Sequence, residues 1–260
     1  MVSPFVLVSP ASRGLSLALT KHYLRRTSLL VYATHRSSDE GIIRERIMSG
    51  LPENVDSTRL TLIPLELTAE ESIASASDSL AMRLPSGAHL HAAWMTGGIL
   101  HPEKRPQDIE ESSLLESFKI NVFSHLLMIK HFSRFLPDHN DSTQPSSNLS
   151  KWVHVSARLG SISDNRRGGW YSYRSSKAAL NQIIKTFDLQ LQMQKKRTSS
   201  IAVGVHPGTV KTDLSKDFWS TAPELLDPEH AADRLVNVVN KLSEKDRGKV
   251  WDWTGKQVPW

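Results

Sequence analysis

Apolar and polar positions alternate along this chain in two rhythms. Short apolar runs occur at Phe5–Val8, Leu29–Ala33, Leu60–Leu65, Ala88–Trp94, Trp152–Ser156, Ile201–Val205 and Lys249–Trp253, and they read as seven strands. Between them, apolar residues recur at helical spacing. Leu15, Ala18, Leu19 and Tyr23 form one stripe, Leu115, Phe118, Val122, Leu126 and Ile129 a second, and Leu180, Ile183, Ile184, Phe187 and Leu191 a third. Thr68, with Glu71 three residues on, reads as a capping box opening a further helix. The segment from Pro137 to Ser150, rich in Pro, Ser, Asn and Asp, reads as an exposed loop. Strands alternating with helices imply βαβ units. The expectation is therefore an α/β fold: a Rossmann-like, doubly wound, mostly parallel seven-stranded sheet with helices on both faces, in a single domain spanning residues 1–260. Ligands on such a sheet bind beyond the carboxyl ends of the strands, so residues just after strands carry the information.

Composition narrows this picture. The chain has 260 residues and no cysteine, which excludes disulfides, Cys–zinc sites and thiol chemistry. Its formal charge of +5 is spread without a dense Lys/Arg run, so nucleic acid is not an expected partner. No run of ~20 apolar residues is available to span a membrane, and Met1 to Val8 lacks the pattern of a signal peptide. A soluble, cytoplasmic protein is expected.

Three stretches carry candidate chemistry. Ser9-Pro10-Ala11-Ser12-Arg13-Gly14-Leu15-Ser16 joins the first strand to a helix N-terminus, where free backbone N–H groups suit a dinucleotide pyrophosphate. Thr34-His35-Arg36 ends the second strand, where a Rossmann unit meets the adenosine ribose. It offers no acidic residue for a free 2′-hydroxyl. Arg36, with Arg13 nearby, suits a 2′-phosphate, which favours NADP(H) over NAD(H). Tyr173-Arg174-Ser175-Ser176-Lys177 opens a helical run, and positions i and i+4 share a helix face. A phenol beside an ammonium is expected to have its pKa lowered and to exchange a proton with a carbonyl oxygen.

In these motifs the chain resembles the short-chain dehydrogenase/reductase family, over essentially its whole length. It is most similar to the C-factor/sniffer-like carbonyl reductases, through Gly160-Ser161-Ile162-Ser163-Asp164-Asn165, Gly168-Gly169-Trp170-Tyr171-Ser172-Tyr173-Arg174 and the ending Trp251-Asp252-Trp253-Thr254-Gly255. The resemblance implies that Tyr173 is the catalytic acid/base, that Lys177 tunes it and bonds the nicotinamide ribose, and that Asn121 kinks the long helix and holds a relay water. It places Thr96, Gly97 and Gly98 against the cofactor and Glu66 and Leu67 beside adenine. Pro207, Gly208, Val210 and Thr212 would hold the carboxamide and pyrophosphate. It makes Asp213 to Pro228 a substrate lid whose Leu214, Phe218, Trp219, Leu225 and Leu226 either pack the lid or meet an apolar substrate. A homodimer or homotetramer would form through the two long helices.

The chain also departs from the family pattern. The glycine-rich loop keeps only Gly14, and an Asn-Asn pair has become Met95-Thr96. The catalytic serine position falls on Ala157, next to Ser156, with Ser161 and Ser163 further on. A serine shifted by a bulge, here Ser156, is one way to supply the missing hydroxyl. Two readings follow: a reductase or dehydrogenase acting on a small carbonyl or alcohol, and a cofactor-binding relative with weak or no catalysis. His89, His91 and His154 lack clustered metal-ligand spacing and read as core or rim histidines.

Overall fold

The structure, a computed structural model, describes residues 4–137, 149–193 and 200–260. Residues 138–148 of the expected loop lie outside them. The first half of the chain runs β1 (Pro4–Ser9), α1 (Gly14–Arg26), β2 (Leu30–His35), α2 (Glu40–Met48), β3 (Leu60–Pro64), α3 (Glu70–Arg83) and β4 (His89–Met95). Then come α4 (Glu111–Phe118), a π turn (Lys119–Phe123), α5 (Ser124–Phe132), β5 (Ser150–Val155) and α6 (Tyr171–Met193). The chain closes with β6 (Ser200–His206), β7 (Thr209–Val210), β8 (Leu225–Leu226), α7 (Pro228–Lys241), β9 (Val250–Asp252) and β10 (Gln257–Val258).

The main sheet has the order β10-β9-β6-β5-β4-β1-β2-β3. All pairings are parallel except β10 on β9. The switch in strand order lies between β1 and β4, where such sheets bind ligands. Successive side chains of a strand point to opposite faces, and the core divides accordingly. Val6 and Val8 join Leu19, Tyr23 and Leu235 on the α1–α7 side. Phe5 and Leu7 join Ile73, Phe132 and Phe187 on the α3–α5–α6 side.

Two expectations need correction. The sheet has eight strands, because the two residues of β10 add an antiparallel edge too short to leave a periodic signal. Thr68 does not cap α3, which starts at Glu70 after Ala69; its N–H and hydroxyl donate to the Glu66 carboxylate instead, each at 2.9 Å. The stripe Leu115–Ile129 is split: Val122 is buried and Ile129 packs partly buried against the core, while other members face outward. The π turn shifts the face, leaving Leu115 62% and Leu126 46% exposed, while Ser117, Asn121, His125, Met128 and Phe132 are buried.

Candidate active site

α6 begins at the carboxyl side of the sheet, and its first turns carry Tyr173 and Lys177 on one buried face. Trp170 leads into it with φ 56°, a left-handed conformation costly for a bulky residue. Its N–H donates to the Glu103 carbonyl at 2.6 Å, and its ring packs 6.1 Å from the Tyr173 ring and 4.6 Å from Phe218. Tyr171, the other tyrosine of this run, is 39% exposed. Lys177 Nζ lies 5.7 Å from the Tyr173 ring centroid and donates to the Val155 carbonyl at 2.9 Å. Burial pushes the lysine down to about 8 and the phenol up to about 12. The expected lowering of the tyrosine is thus reversed in this state, because burial desolvates the phenol. The arrangement is a protonated phenol beside an ammonium, a proton donor with a charge ready to stabilise the phenolate it leaves.

The π turn places Asn121 opposite this pair. Its Oδ1 accepts from the Ile99 N–H at 2.8 Å, while Nδ2 donates to the Ile99 carbonyl and to Ser176 Oγ, both at 3.0 Å. A mid-helix asparagine facing solvent is thereby excluded. A Cβ added to Gly98 would lie 3.4 Å from Lys177 Nζ and 3.6 Å from Asn121 Oδ1, and one added to Gly97 would meet Leu67 at 2.7 Å. Tyr173, Lys177, Asn121 and the Gly97–Gly98 segment therefore form one cluster.

Ser156 does not join it. Its hydroxyl is buried and bonded to Asn181 at 2.6 Å, and Asn181 lies two turns along α6 from Tyr173, ~12 Å at the helical rise. The bulge that would re-aim Ser156 is not formed, and Ala157 is buried just before the turn Arg158–Gly160. Ser161 Oγ accepts from the Asp164 N–H, and the Ser163 N–H donates to the Trp260 carbonyl. Position 157 has no hydroxyl, and the Ser156 hydroxyl is turned to Asn181.

The second part of the site is the cleft at the β1–α1 turn. Ser9 Oγ accepts from Thr34 Oγ1 at 2.8 Å, and the Ala11 N–H donates to the Thr34 carbonyl at 2.8 Å. Thr96 donates its N–H to Ser9 O and its hydroxyl to Pro10 O. Gly14 opens α1 at φ +55°, and a Cβ there would sit 3.0 Å from Thr212. No acid stands in the first turn of α1 to oppose an anion. Gly14, Lys21, Lys211 and Thr212 line a cleft of about 370 Å³ together with the carboxylates Asp213 and Glu229. Leu15 packs partly buried beside it. Pro207 and Gly208 lead from β6 into β7, where Val210 is buried.

At the far end, Arg13 and Arg36 are exposed. Glu66 is held below the usual carboxylate range, first by the Thr68 N–H, with its hydroxyl, Arg36 and Lys119 adding to this. Arg46, which the sequence reading missed, reaches from α2 to the Ser12 carbonyl at 3.2 Å and adds a third guanidinium. Also missed were Glu103, buried with neither carboxylate oxygen bonded, and His125. The i+4 spacing of His125 from Asn121 was the signal available for it. His154 is a bonded core histidine, as read.

Comparison with known proteins agrees with this geometry. The chain matches the family model described as short chain dehydrogenase over residues 4–223. It is 29% identical to the C-signal protein of Myxococcus xanthus over 154 residues, 59% of this chain and 82% of that one. The structure superposes on the carbonyl reductase Sniffer of D. melanogaster with a TM-score of 0.82 at 24% identity, covering 100% of both chains. An NADPH-bound carbonyl reductase from chicken fatty liver gives a TM-score of 0.84 at 27% identity, covering 100% of this chain and 94% of that one.

Proposed function

The chain belongs to the short-chain dehydrogenase family, and on that premise we propose that it is an NADP(H)-dependent oxidoreductase interconverting a carbonyl and an alcohol. One domain would span residues 1–260, in the cytoplasm. The observation that carries this reading is the buried Tyr173–Lys177 pair beside Asn121 and the Gly97–Gly98 segment.

Bound NADP(H) supplies the hydride chemistry. The α1 N-terminus with Gly14, Leu15, Lys211 and Thr212 suits its pyrophosphate, and Arg13, Arg36 and Arg46 suit a 2′-phosphate. Ser9, Ser12 and Thr96 shape the turn, Glu66 and Leu67 would hold the adenine end, and Pro207 to Val210 would hold the carboxamide. In the reductive direction, the Tyr173 phenol donates its proton to the substrate oxygen as negative charge develops there. The Lys177 ammonium, fixed by the Val155 carbonyl, stabilises the resulting phenolate. Asn121 holds Ile99 and Ser176, and so the spacing of the α4–α5 and α6 walls. Trp170 and Phe218 offer an aromatic wall beside Tyr173, which suits an apolar or aromatic carbonyl compound.

A second reading, cofactor binding with weak or no turnover, is favoured by Ala157, which leaves the substrate oxygen one donor short. Thermal unfolding with NADPH, NADH or neither, followed by a carbonyl screen with Tyr173→Phe as control, separates the two. A ligand at ~100 times its dissociation constant adds ~2.7 kcal/mol to the folded state, so a larger shift with NADPH is expected. Turnover that drops at least ~100-fold in Tyr173→Phe supports the enzyme. Binding without turnover supports the second reading, and no shift with either nucleotide sinks both.

A further inference from the structure

Behind the Gly97–Gly98 segment runs a buried chain of hydrogen bonds. Trp152 Nε1 lies 3.0 Å from His154 Nε2, His154 Nδ1 lies 2.8 Å from His125 Nδ1, and His125 Nε2 lies 2.9 Å from the Gly97 carbonyl. One proton assignment satisfies it. An indole N–H only donates, so His154 Nε2 accepts and carries its own proton on Nδ1. That proton goes to His125 Nδ1, which leaves the His125 proton on Nε2, pointing at Gly97. Each link sets the tautomer of the next.

We propose that His125 is a positioning residue, held in its tautomer by His154 and Trp152, which fixes the Gly97 carbonyl and so the shape of the cofactor floor. The inference rests on the reading of Gly97–Gly98 as that floor. A Gly-Gly pair has no side chains to set its backbone. The flanking residues are anchored, Thr96 by Ser9 and Pro10 and Ile99 on both sides by Asn121. Among the described residues, the bond from His125 fixes the stretch between them. Two imidazoles in a layer otherwise packed with Phe132, Trp152 and Phe187 are a poor choice for packing alone. Burial keeps both neutral, with His125 pushed down to about 3 and His154 well below its ordinary value; Lys177 acts in the same direction on both. Both imidazoles are therefore neutral near neutral pH, as the chain of bonds requires.

The test compares His125→Leu with His125→Gln, whose amide nitrogen falls near the imidazole Nε2 and can still donate to Gly97. The NADPH dissociation constant is measured by titration, and the thermal midpoint of the cofactor-free protein beside it. His125→Leu is expected to weaken NADPH at least ~10-fold, the loss of a buried bond to a carbonyl, and His125→Gln to recover most of that. A folded Leu variant that weakens binding less than this overturns the proposal, as does a Gln variant no better than Leu. Should the Leu variant not fold, Trp152→Phe removes the first donor and frees His154 to change tautomer. Weaker NADPH binding then supports the chain and unchanged binding overturns it. Failure of the unaltered protein to bind NADPH overturns the underlying reading, and the role of His125 with it.

Discussion

Burial moves the two titratable groups of the site in opposite directions, and together they set a pH window. Lys177 sits at about 8 and Tyr173 at about 12. The lysine has lost much of its preference for the charged form, so the ammonium is present below about 8 and is lost as pH rises through that value. The phenol keeps its proton throughout. Reductive kcat/KM is therefore expected to be level below pH about 8 and to fall above it, as a pH–rate profile with saturating NADPH would show. A rate that rises through pH 8 would mean that Lys177 works as a neutral amine. Ala157 is the other residue that decides the rate. A serine there restores a donor to the substrate oxygen, and one such donor is worth ~10²–10³ in kcat. Ala157→Ser is expected to raise kcat at least ~10-fold with little change in the NADPH dissociation constant. A lower kcat would show that the pocket at 157 is shaped for a substrate group that takes the place of the hydroxyl.

The elements of the fold were legible where one physical cause wrote the sequence. β1, β2, β4, β5 and β6 are buried on both faces, and their apolar runs gave their positions to within a residue or two. The Tyr173–Lys177 pair was legible because i,i+4 spacing on a helix is a geometric fact. The α4–α5 face was not. Its buried positions hold Ser117, Asn121 and His125 beside Val122, Met128 and Phe132, so apolarity alone does not mark them, and a π turn has no periodic signature. The direction of Ser156 was not legible because sequence shows two neighbouring positions and not which way the strand turns them. Arg46 was missed because it acts from α2, ten residues beyond Arg36, and only the fold returns it to Ser12. Its position yields a prediction at the scale of the β2–α2 unit. The double change Arg36→Glu with Arg46→Ala is expected to weaken NADPH by at least ~10-fold while leaving NADH within ~3-fold. Equal loss for both nucleotides would place the arginines on the pyrophosphate or outside the site altogether.

At the scale of the whole molecule, part of the apolar stripe of α4 and α5 faces outward. Leu115, Phe123 and Leu126 stay exposed along the outer side of α4 and α5, with Phe123 at 53%, and Leu189 and Met193 are exposed on α6. A monomer rarely exposes apolar surface beyond a few hundred Å² in one patch, and the family resemblance assigns these helices to subunit pairing. The same helices carry Asn121 on one side and Tyr173 and Lys177 on the other, so pairing there would brace the back of the active site. A homodimer through this face would bury roughly 1,600 Å² or more. Light scattering of the purified protein is expected to give at least a dimer, and Leu126→Glu with Phe123→Glu to give monomers. Because both side chains point away from the sheet, the thermal midpoint of that monomer should fall only by the lost subunit contacts, and so should depend on concentration in the unaltered protein and not in the variant. A monomer in both cases would leave the outer stripe of α4 and α5 without the role assigned to it. A dimer that survives both charges would move the interface to another surface, such as the sheet edge that ends in β10 and Trp260.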